Sequence, residues 1–259
     1  MRRVLAFTVV ALSFVVVDAT AQATFQWSGQ LTSGQTIEIK GINGDVRATP
    51  SSSGQVEVTA TKSARRSNPA DVRIDVVPHG GGVTICAVYP DVPGKEPNRC
   101  DPSGTSRSST RDNDTVVHFE VRVPAGVAFV GRTVNGEVNA ESLQADVEAH
   151  TVNGSIRVST TGLAVASTVN GSVNVTAGRA DWPGEAEFKT VNGGITLTLP
   201  GAFDAELRAE TLNGSITTDF PMTVTGQASP RRLRGTIGNG GHQLVLSTVN
   251  GSIKLLRAQ

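Results

Sequence analysis

The sequence predicts an all-β protein in the form of a parallel β-solenoid, a β-helix-like stack of coils about 20 residues long. Three observations favour this class. The composition is rich in Gly, Val, Thr, Ser and Asn, which suits strands and turns. A hexapeptide centred on Asn-Gly recurs, and apolar residues alternate with period two on both sides of it. An antiparallel array of hairpins, each turning at Asn-Gly, is the alternative.

The first segment has the features of an export signal. Arg2 and Arg3 precede an apolar run over residues 4–17, and small residues follow up to Ala21. The run is too short to span a bilayer comfortably. We therefore expect a signal peptide over residues 1–21, no later transmembrane segment, and an exported protein that is periplasmic, extracellular or bound to the cell surface.

The remaining residues 22–259 are predicted to form a single β-repeat domain. Residues 22–126 contain irregular strands and a polar loop at 90–114, and residues 127–259 carry the regular repeats. Strand-like runs in the first part occupy residues 36–39, 55–60, 72–77, 82–89 and 115–123.

Two cysteines, Cys86 and Cys100, are the whole thiol content of the chain. In an oxidising compartment such a pair most simply forms a disulfide. The other interpretation is a metal pair, but His79 and His118 do not have zinc-ligand spacing relative to it. The prediction is a structural disulfide.

The repeat is TVNGSI or a close variant. Copies begin at Thr133, Thr151, Thr168, Thr190, Thr211 and Thr248, and a relative, GINGDV, occupies 41–46. The segment GTIGNGG at 235–241 is interpreted as a degenerate copy, because the interval around it is about twice the others. The predicted structural residues are the Asn-Gly pairs Asn43, Gly44, Asn135, Gly136, Asn153, Gly154, Asn170, Gly171, Asn192, Gly193, Asn213, Gly214, Asn250 and Gly251.

The apolar alternation shifts by one position within each repeat. Around the second copy it includes Val147, Ala149 and Thr151, and then Val152, Gly154, Ile156 and Val158. This shift predicts a corner after the threonine, with the following valine and glycine directed inward. The repeated asparagines are expected either to form an amide ladder between coils or to bond backbone groups at the corner.

Stacking of the repeats would align equivalent polar residues on an outer face. The possible binding face consists of Arg157, Asn174, Thr196, Thr217 and Lys254. Two basic clusters, Arg65-Arg66 and the segment 231–234, could contact anionic envelope polymers, although solvated loop charges are the interpretation we favour.

The sequence resembles the DUF4097 family, bacterial β-strand repeat proteins described as adhesins. The matching features are the signal peptide, GINGDV at 41–46, VRVPAGV at 121–127, the TVNG series and the closing segment at 235–255. The resemblance implies a β-repeat fold and export, and it carries no catalytic motif to this chain. Residues 100–114 match it poorly.

The sequence indicates binding more than catalysis. With 23 basic and 23 acidic residues, the chain lacks the positive field of a simple nucleic-acid binder. No catalytic or metal-binding motif is recognisable, so we expect neither an enzyme nor a cofactor or metal.

The leading hypothesis is an adhesin or cell-envelope binding module, whose partner is an envelope glycan or a protein. A second is an assembly module that pairs through an exposed strand edge near residues 252–255. A third is a solenoid enzyme acting on polysaccharide, which would need carboxylates, such as those of Asp45 and Glu137, to converge on one face.

Overall fold

The computed structural model describes residues 21–102, 109–227 and 229–259. The predicted all-β class is confirmed, because the described part is built from strands and a single 3₁₀ turn at Pro69–Asp71. Most of the predicted signal peptide, residues 1–20, lies outside the described residues, and Ala21 begins the first strand. No helix of the described ranges is long and apolar enough to cross a membrane.

The strands of the first part are β1 (Ala21–Gly29), β2 (Thr36–Lys40), β3 (Val46–Pro50), β4 (Val56–Ala64), β5 (Arg73–His79), β6 (Gly82–Val88) and β7 (Val116–Val123). Those of the second part are β8 (Ala128–Arg132), β9 (Val138–Leu143), β10 (Val147–His150), β11 (Ile156–Thr160), β12 (Ala164–Ser167), β13 (Val173–Ala177), β14 (Ala186–Lys189), β15 (Ile195–Leu199), β16 (Ala205–Asn213), β17 (Ile216–Thr218), β18 (Thr223–Val224), β19 (Arg232–Ile237), β20 (Gln243–Asn250) and β21 (Ile253–Arg257). The strand-like runs predicted from the sequence correspond to β2 and β4–β7, and they missed β1 and β3.

The strands form two large mixed sheets. Sheet A has ten strands in the order β1-β4-β7-β3-β9-β11-β13-β15-β21-β17. Sheet B has eleven, in the order β18-β19-β16-β20-β14-β12-β10-β8-β2-β6-β5. The central pairs of both sheets are parallel, and the antiparallel pairs among the described strands lie towards the ends, at β1–β4, β4–β7, β5–β6, β16–β19 and β18–β19.

Each Asn-Gly pair joins a strand of sheet B to the next strand of sheet A. We call such a pair of strands a repeat unit: β2–β3, β8–β9, β10–β11, β12–β13, β14–β15, β16–β17 and β20–β21. The units follow the same order in both sheets. The strands flanking Asn-Gly are therefore not hairpin partners. Among described non-glycine residues, positive φ is confined to Asp112 and Ser142, so no repeat asparagine has the conformation of a type I′ turn.

The spatial order of the units departs from their order in the chain. The last unit, β20–β21, lies between β14–β15 and β16–β17 in both sheets. The segment 235–241, interpreted as a degenerate copy, instead supplies the end of β19, which pairs antiparallel with β16. The predicted edge near residues 252–255 is also wrong, because β21 is bonded to β15 on one side and to β17 on the other.

The core lies between the two sheets. Inward positions alternate along each strand, as in β11, where Ile156, Val158 and Thr160 are buried and Arg157 is exposed. Large buried side chains include Phe129 and Phe188 of sheet B and Ile195 and Leu197 of sheet A. Since alternate residues of a strand face opposite sides, the outward positions are free to carry polar side chains.

The loop after β6 is fixed at several points. Cys86 and Cys100 form the predicted disulfide. The buried Asn98 donates its side-chain amide to the carbonyl oxygens of Tyr89, Pro90 and Ser109 at 2.8–3.1 Å. Burial raises the pKa of the Tyr89 phenol to about 12, against the opposing effect of hydrogen bonds with Asn43. Within residues 90–114, the described ranges 90–102 and 109–114 thus include anchored segments.

Candidate functional site

The repeat corner occupies five residues. In the second copy, Thr151 is buried, Val152 and Asn153 are exposed, and Ile156 resumes the core as the first residue of β11. The Thr151 hydroxyl donates to the carbonyl oxygen of Gly136 at 2.8 Å. Equivalent threonines bond the glycine carbonyl of the neighbouring unit at 2.8–3.0 Å throughout the repeat. The threonine column therefore satisfies backbone groups inside the corner.

The repeat asparagines form one amide ladder. In the spatial order 43, 135, 153, 170, 192, 250 and 213, each asparagine after Asn43 donates its Nδ2 group to Oδ1 of the one before it at 2.7–2.8 Å. Backbone bridges join the consecutive asparagines from Asn43 to Asn250 as well. Of the two roles considered for these side chains, the ladder is the one the structure shows. It leaves the corner polar and regularly spaced.

The repeat glycines are required by a close approach of neighbouring units. A Cβ atom at Gly154 would overlap the carbonyl oxygen of Gly136, and the same overlap recurs at Gly171, Gly193 and Gly251. The prediction that these glycines face the core is wrong. They face along the stack, where the backbone of the next unit leaves no room for a side chain.

The valines after the threonines also differ from the prediction. Val134, Val152, Val169 and Val249 are 37–39% exposed, and the equivalent Leu212 is 61% exposed. They were expected to point inward, because the alternation was continued through the corner. The corner bends between the threonine and the next strand, and this places the valines outside, beside the asparagine ladder.

The five residues predicted as a binding face lie in one row on the outer face of sheet A. The register pairs Arg157 with Asn174, Asn174 with Thr196, Thr196 with Lys254, and Lys254 with Thr217. Adjacent strands are about 4.8 Å apart, so the row extends for about 19 Å. We call it the polar row.

The charge of this face changes along the stack. Beside the polar row runs a second row composed of Ser155, Ser172, Gly194, Ser252 and Ser215. Arg157 and Lys254 are the charged members of these two rows. On the side of β3, β7 and β9 the acidic residues Asp45, Glu120 and Glu137 follow, together with Arg47, which lies opposite Glu120. The part from β11 to β17 is thus rich in hydroxyl groups and weakly basic.

The two residues considered for catalysis are neighbours on the outer face of sheet A, but their contact is between the carboxylate of Asp45 and the backbone of Glu137. The Asp45 Oδ1 atom accepts the backbone N–H of Glu137 at 2.9 Å, and Oδ2 lies 3.4 Å from Nδ1 of His118. Asp45 is therefore held by two partners, and both carboxylates are exposed. A glycosidase acid needs a protected environment that raises its pKa. This geometry favours a surface contact over a catalytic pair.

The outer face of sheet B carries a charged cluster that was not predicted from the sequence. The Arg132 guanidinium bonds Glu38 at 3.1 Å and also bonds Glu148. His150 bonds Glu148 through Nε2 and Ser167 through Nδ1, both at 2.6 Å. The bond from His150, with the charge of Arg132, holds the pKa of Glu148 below its usual value despite partial burial. Arg132 and Glu38 are 94 positions apart, so only the strand register could reveal the cluster.

The order Ser167, His150, Glu148 is that of a nucleophile, a base and an orienting carboxylate. Acyl transfer also needs free donors for the oxyanion. The backbone N–H of Thr168, next to the serine, is bonded to the carbonyl oxygen of Lys189 at 2.9 Å. Glu148 is shared with Arg132 as well. The cluster therefore has the character of a surface ion network. No group of three or more metal-ligating side chains occurs among the residues that the structure covers.

Two mixed sheets, joined by stacked Asn-Gly corners and covered by regular polar rows, define the class of this protein as an all-β repeat protein. The family model described as Toastrack DUF4097 matches residues 131–256, which confirms the resemblance to that family for this part of the chain. No curated protein matches the chain.

Similar solved structures have low sequence identity to the chain. One is a "putative cell adhesion protein" from Clostridium sporogenes, with 9% identity, coverage of 91% of this chain and 100% of that chain, and a TM-score of 0.46. Another is a "putative adhesin" from Bacteroides fragilis, with 12% identity, coverage of 90% and 97%, and a TM-score of 0.39. A third is a "putative lipid binding protein" from Parabacteroides distasonis, with 11% identity, coverage of 92% and 97%, and a TM-score of 0.23.

Proposed function

We propose that this protein is an exported, non-enzymatic binding module that holds an extended glycan of the cell envelope along the outer face of sheet A. The observation that carries the proposal is the alignment of Arg157, Asn174, Thr196, Lys254 and Thr217 in one row on five neighbouring strands. A linear polymer with repeated hydroxyl groups offers hydrogen-bonding groups at regular intervals, as this row does.

The chemistry of the row suits a polyhydroxylated ligand with some negative charge. Serine and threonine hydroxyls and the Asn174 amide both donate and accept hydrogen bonds. Arg157 and Lys254 lie about three strand spacings, or about 14 Å, apart and supply cationic contacts. An open, shallow surface of this kind fits the side of a long chain better than a small enclosed ligand.

The repeat units supply a rigid support for the row. We propose that they wind as a parallel β-solenoid whose two ends are covered by antiparallel strands. The parallel registers in both sheets and the asparagine ladder support this winding. A rigid support lowers the conformational entropy lost when a long ligand is bound.

Strand addition is the weaker candidate. The outer strand of sheet A at this end, β17, has three residues, and the N–H of Ile216 is already bonded to the carbonyl oxygen of Pro230 at 2.9 Å. A short, partly covered edge offers few backbone groups to a partner chain.

The experiment is a glycan-array screen of the secreted protein followed by titration of the best ligand. The Arg157→Ala/Lys254→Ala variant is compared with Arg73→Ala/Lys189→Ala, which removes the same two residue types from exposed positions of sheet B. We expect the first variant to lose at least about tenfold in affinity and the second to bind as the wild type does. Equal binding by all three proteins would contradict the proposal.

A further inference from the structure

Four arginines gather at the end of the stack where β16 and β19 pair. Arg208 lies directly opposite Arg234, and Glu210 lies directly opposite Arg232. These three arginines and Glu210 lie on the outer face of sheet B. The fourth arginine, Arg231, immediately precedes β19. The basic segment 231–234, treated in the sequence as solvated loop charge, is thus mostly strand and gains Arg208 as a neighbour.

The carboxylate of Glu210 forms ion pairs with three of these arginines. The Oε1 atom of Glu210 lies 3.2 Å from Nε of Arg208, 3.1 Å from Nη2 of Arg234 and 3.5 Å from Nε of Arg232. These bonds, led by that from Arg234, hold the pKa of Glu210 below its usual value, so the carboxylate is charged at neutral pH. Four guanidinium groups against the carboxylates of Glu210 and of Glu206, which lies two residues before Arg208 on the same face, leave an excess of two positive charges.

Such an excess is unfavourable in the unliganded protein. Like charges directly opposite each other on antiparallel strands destabilise the pair, and Arg208 and Arg234 stand in that relation. Each guanidinium has five N–H donors, and the contacts to Glu210 use few of them. The remaining donors are available to an anion, whose charge would relieve the repulsion.

A groove of about 540 Å³ opens beside this cluster. Arg231, Arg232 and Glu210 line it together with Gln227, Ser229 and Ser247. The Ser229 hydroxyl oxygen accepts the backbone N–H groups of Arg231 and Arg232 at 3.3 and 3.1 Å, which fixes the segment that carries both arginines. The groove is larger than one phosphate group needs.

We infer that this groove is a binding site for phosphate groups, of the kind carried in pairs by a diphosphate or in series by a phosphate-containing polymer. Arginine binds tetrahedral phosphate through two parallel N–H donors, a geometry that lysine cannot reproduce. Hydroxyl and amide side chains of the groove complete the set of donors. The site is on sheet B and does not depend on the polar row of sheet A.

The test is calorimetric titration of the full protein with inorganic pyrophosphate at low ionic strength. The Arg231→Ser/Arg232→Ser variant is compared with Arg47→Ser/Arg122→Ser, which removes the same charge from exposed positions of sheet A outside the polar row. We expect the groove variant to bind at least about tenfold more weakly than the wild type and the sheet A variant to be unchanged. If the groove variant does not fold, Arg231→Ser alone, which leaves the Glu210 contacts intact, is used.

Two further ligands identify the source of the phosphate. Soluble polyphosphate that binds more tightly than pyrophosphate would indicate a polymer. Flotation with vesicles of phosphatidylglycerol, but not of phosphatidylcholine, together with loss of flotation in the groove variant, would indicate a lipid surface. The inference is overturned if pyrophosphate does not bind, or if both double variants lose affinity equally. Because the sheet A proposal is tested with neutral and acidic glycans on other residues, either can fail alone.

Discussion

The side-chain amide of Asn213 donates to Oδ1 of Asn250 at 2.8 Å, although Asn250 follows it by 37 residues. Asn250 in turn donates to Asn192 at 2.7 Å, which precedes it by 58 residues. The final repeat unit, β20–β21, therefore lies between two units that precede it in the sequence. The end of the stack is formed by strands β16–β19, within residues 205–237, and the C-terminal strands β20 and β21 are internal.

Truncation tests this order. In a stack that follows the chain, deleting the last unit removes only an end layer, which repeat proteins often tolerate. Here, deletion of residues 243–259 removes β20 and β21 from between their neighbours. We expect the truncated protein to lose its cooperative thermal transition, as measured by circular dichroism. A truncated protein that melts cooperatively near the wild-type temperature would contradict the order.

The asparagine ladder predicts graded losses of stability. Asn170→Ala removes two ladder bonds, those with Asn153 and Asn192, whereas Asn213→Ala removes one, at the end of the ladder. At about 1 kcal/mol for each bond, the free energy of unfolding should fall by about 2 and about 1 kcal/mol. Urea denaturation of both variants gives the comparison. Equal losses would mean that the ladder bonds are not what stabilises the corner.

The glycines of the corner predict a sharper effect. Gly154→Ala places a methyl group against the carbonyl oxygen of Gly136, so the neighbouring units must separate. We expect a loss of about 3 kcal/mol in the free energy of unfolding. Gly184→Ala, at a position with open space around it, is the matched control and should be nearly neutral. If the two variants have the same stability, the close approach of the units is not as described.

Asp114 predicts an acid-sensitive contribution to stability. Its carboxylate accepts the backbone N–H groups of Ser67, Arg66 and Arg65, and these bonds, led by that of Ser67, lower its pKa from 3.8 to about 2. A lowered pKa stabilises the folded state above the unfolded value, and this contribution is lost as the pH falls from about 4 to about 2. The Asp114→Ala variant should therefore melt at a lower temperature than the wild type at pH 6, with the difference closing near pH 2.

A variant at an exposed carboxylate, Glu185→Ala, controls for the loss of one negative charge. Thermal melts of the three proteins at a series of pH values provide the measurement. A melting-temperature difference between Asp114→Ala and the wild type that does not narrow on acidification would show that the backbone bonds to Asp114 do not carry the effect.

Local patterns predicted much of the fold, because burial imposes a period of two on any strand with one face in the core. The repeat threonines and the alternation around Ile156 located most strands, and the recurrence of Asn-Gly indicated the ladder. The alternation could not predict that Val152 is exposed, because the side chains at a corner do not alternate between two faces as those of a strand do. The chain order also could not predict that β20–β21 is internal, since pairing of distant strands leaves no periodic signal.

The candidate sites show the same division. The row from Arg157 to Thr217 follows from equal offsets after each Asn-Gly pair, and so it was visible in the sequence. The cluster of Arg132 with Glu38, and that of Arg208 with Arg234, depend on register between segments that carry no shared motif. These charged residues could be recognised as clusters only once the pairing of their strands was known.

The most direct test of the proposed function is the dependence of affinity on ligand length. Oligosaccharides of increasing length, cut from the envelope glycan that binds best, are titrated against the wild-type protein. Because the polar row extends for about 19 Å, affinity should rise with each added sugar until the oligomer spans that length, and should then level off. Affinity that is the same for a monosaccharide and for a long oligomer would contradict binding along the row.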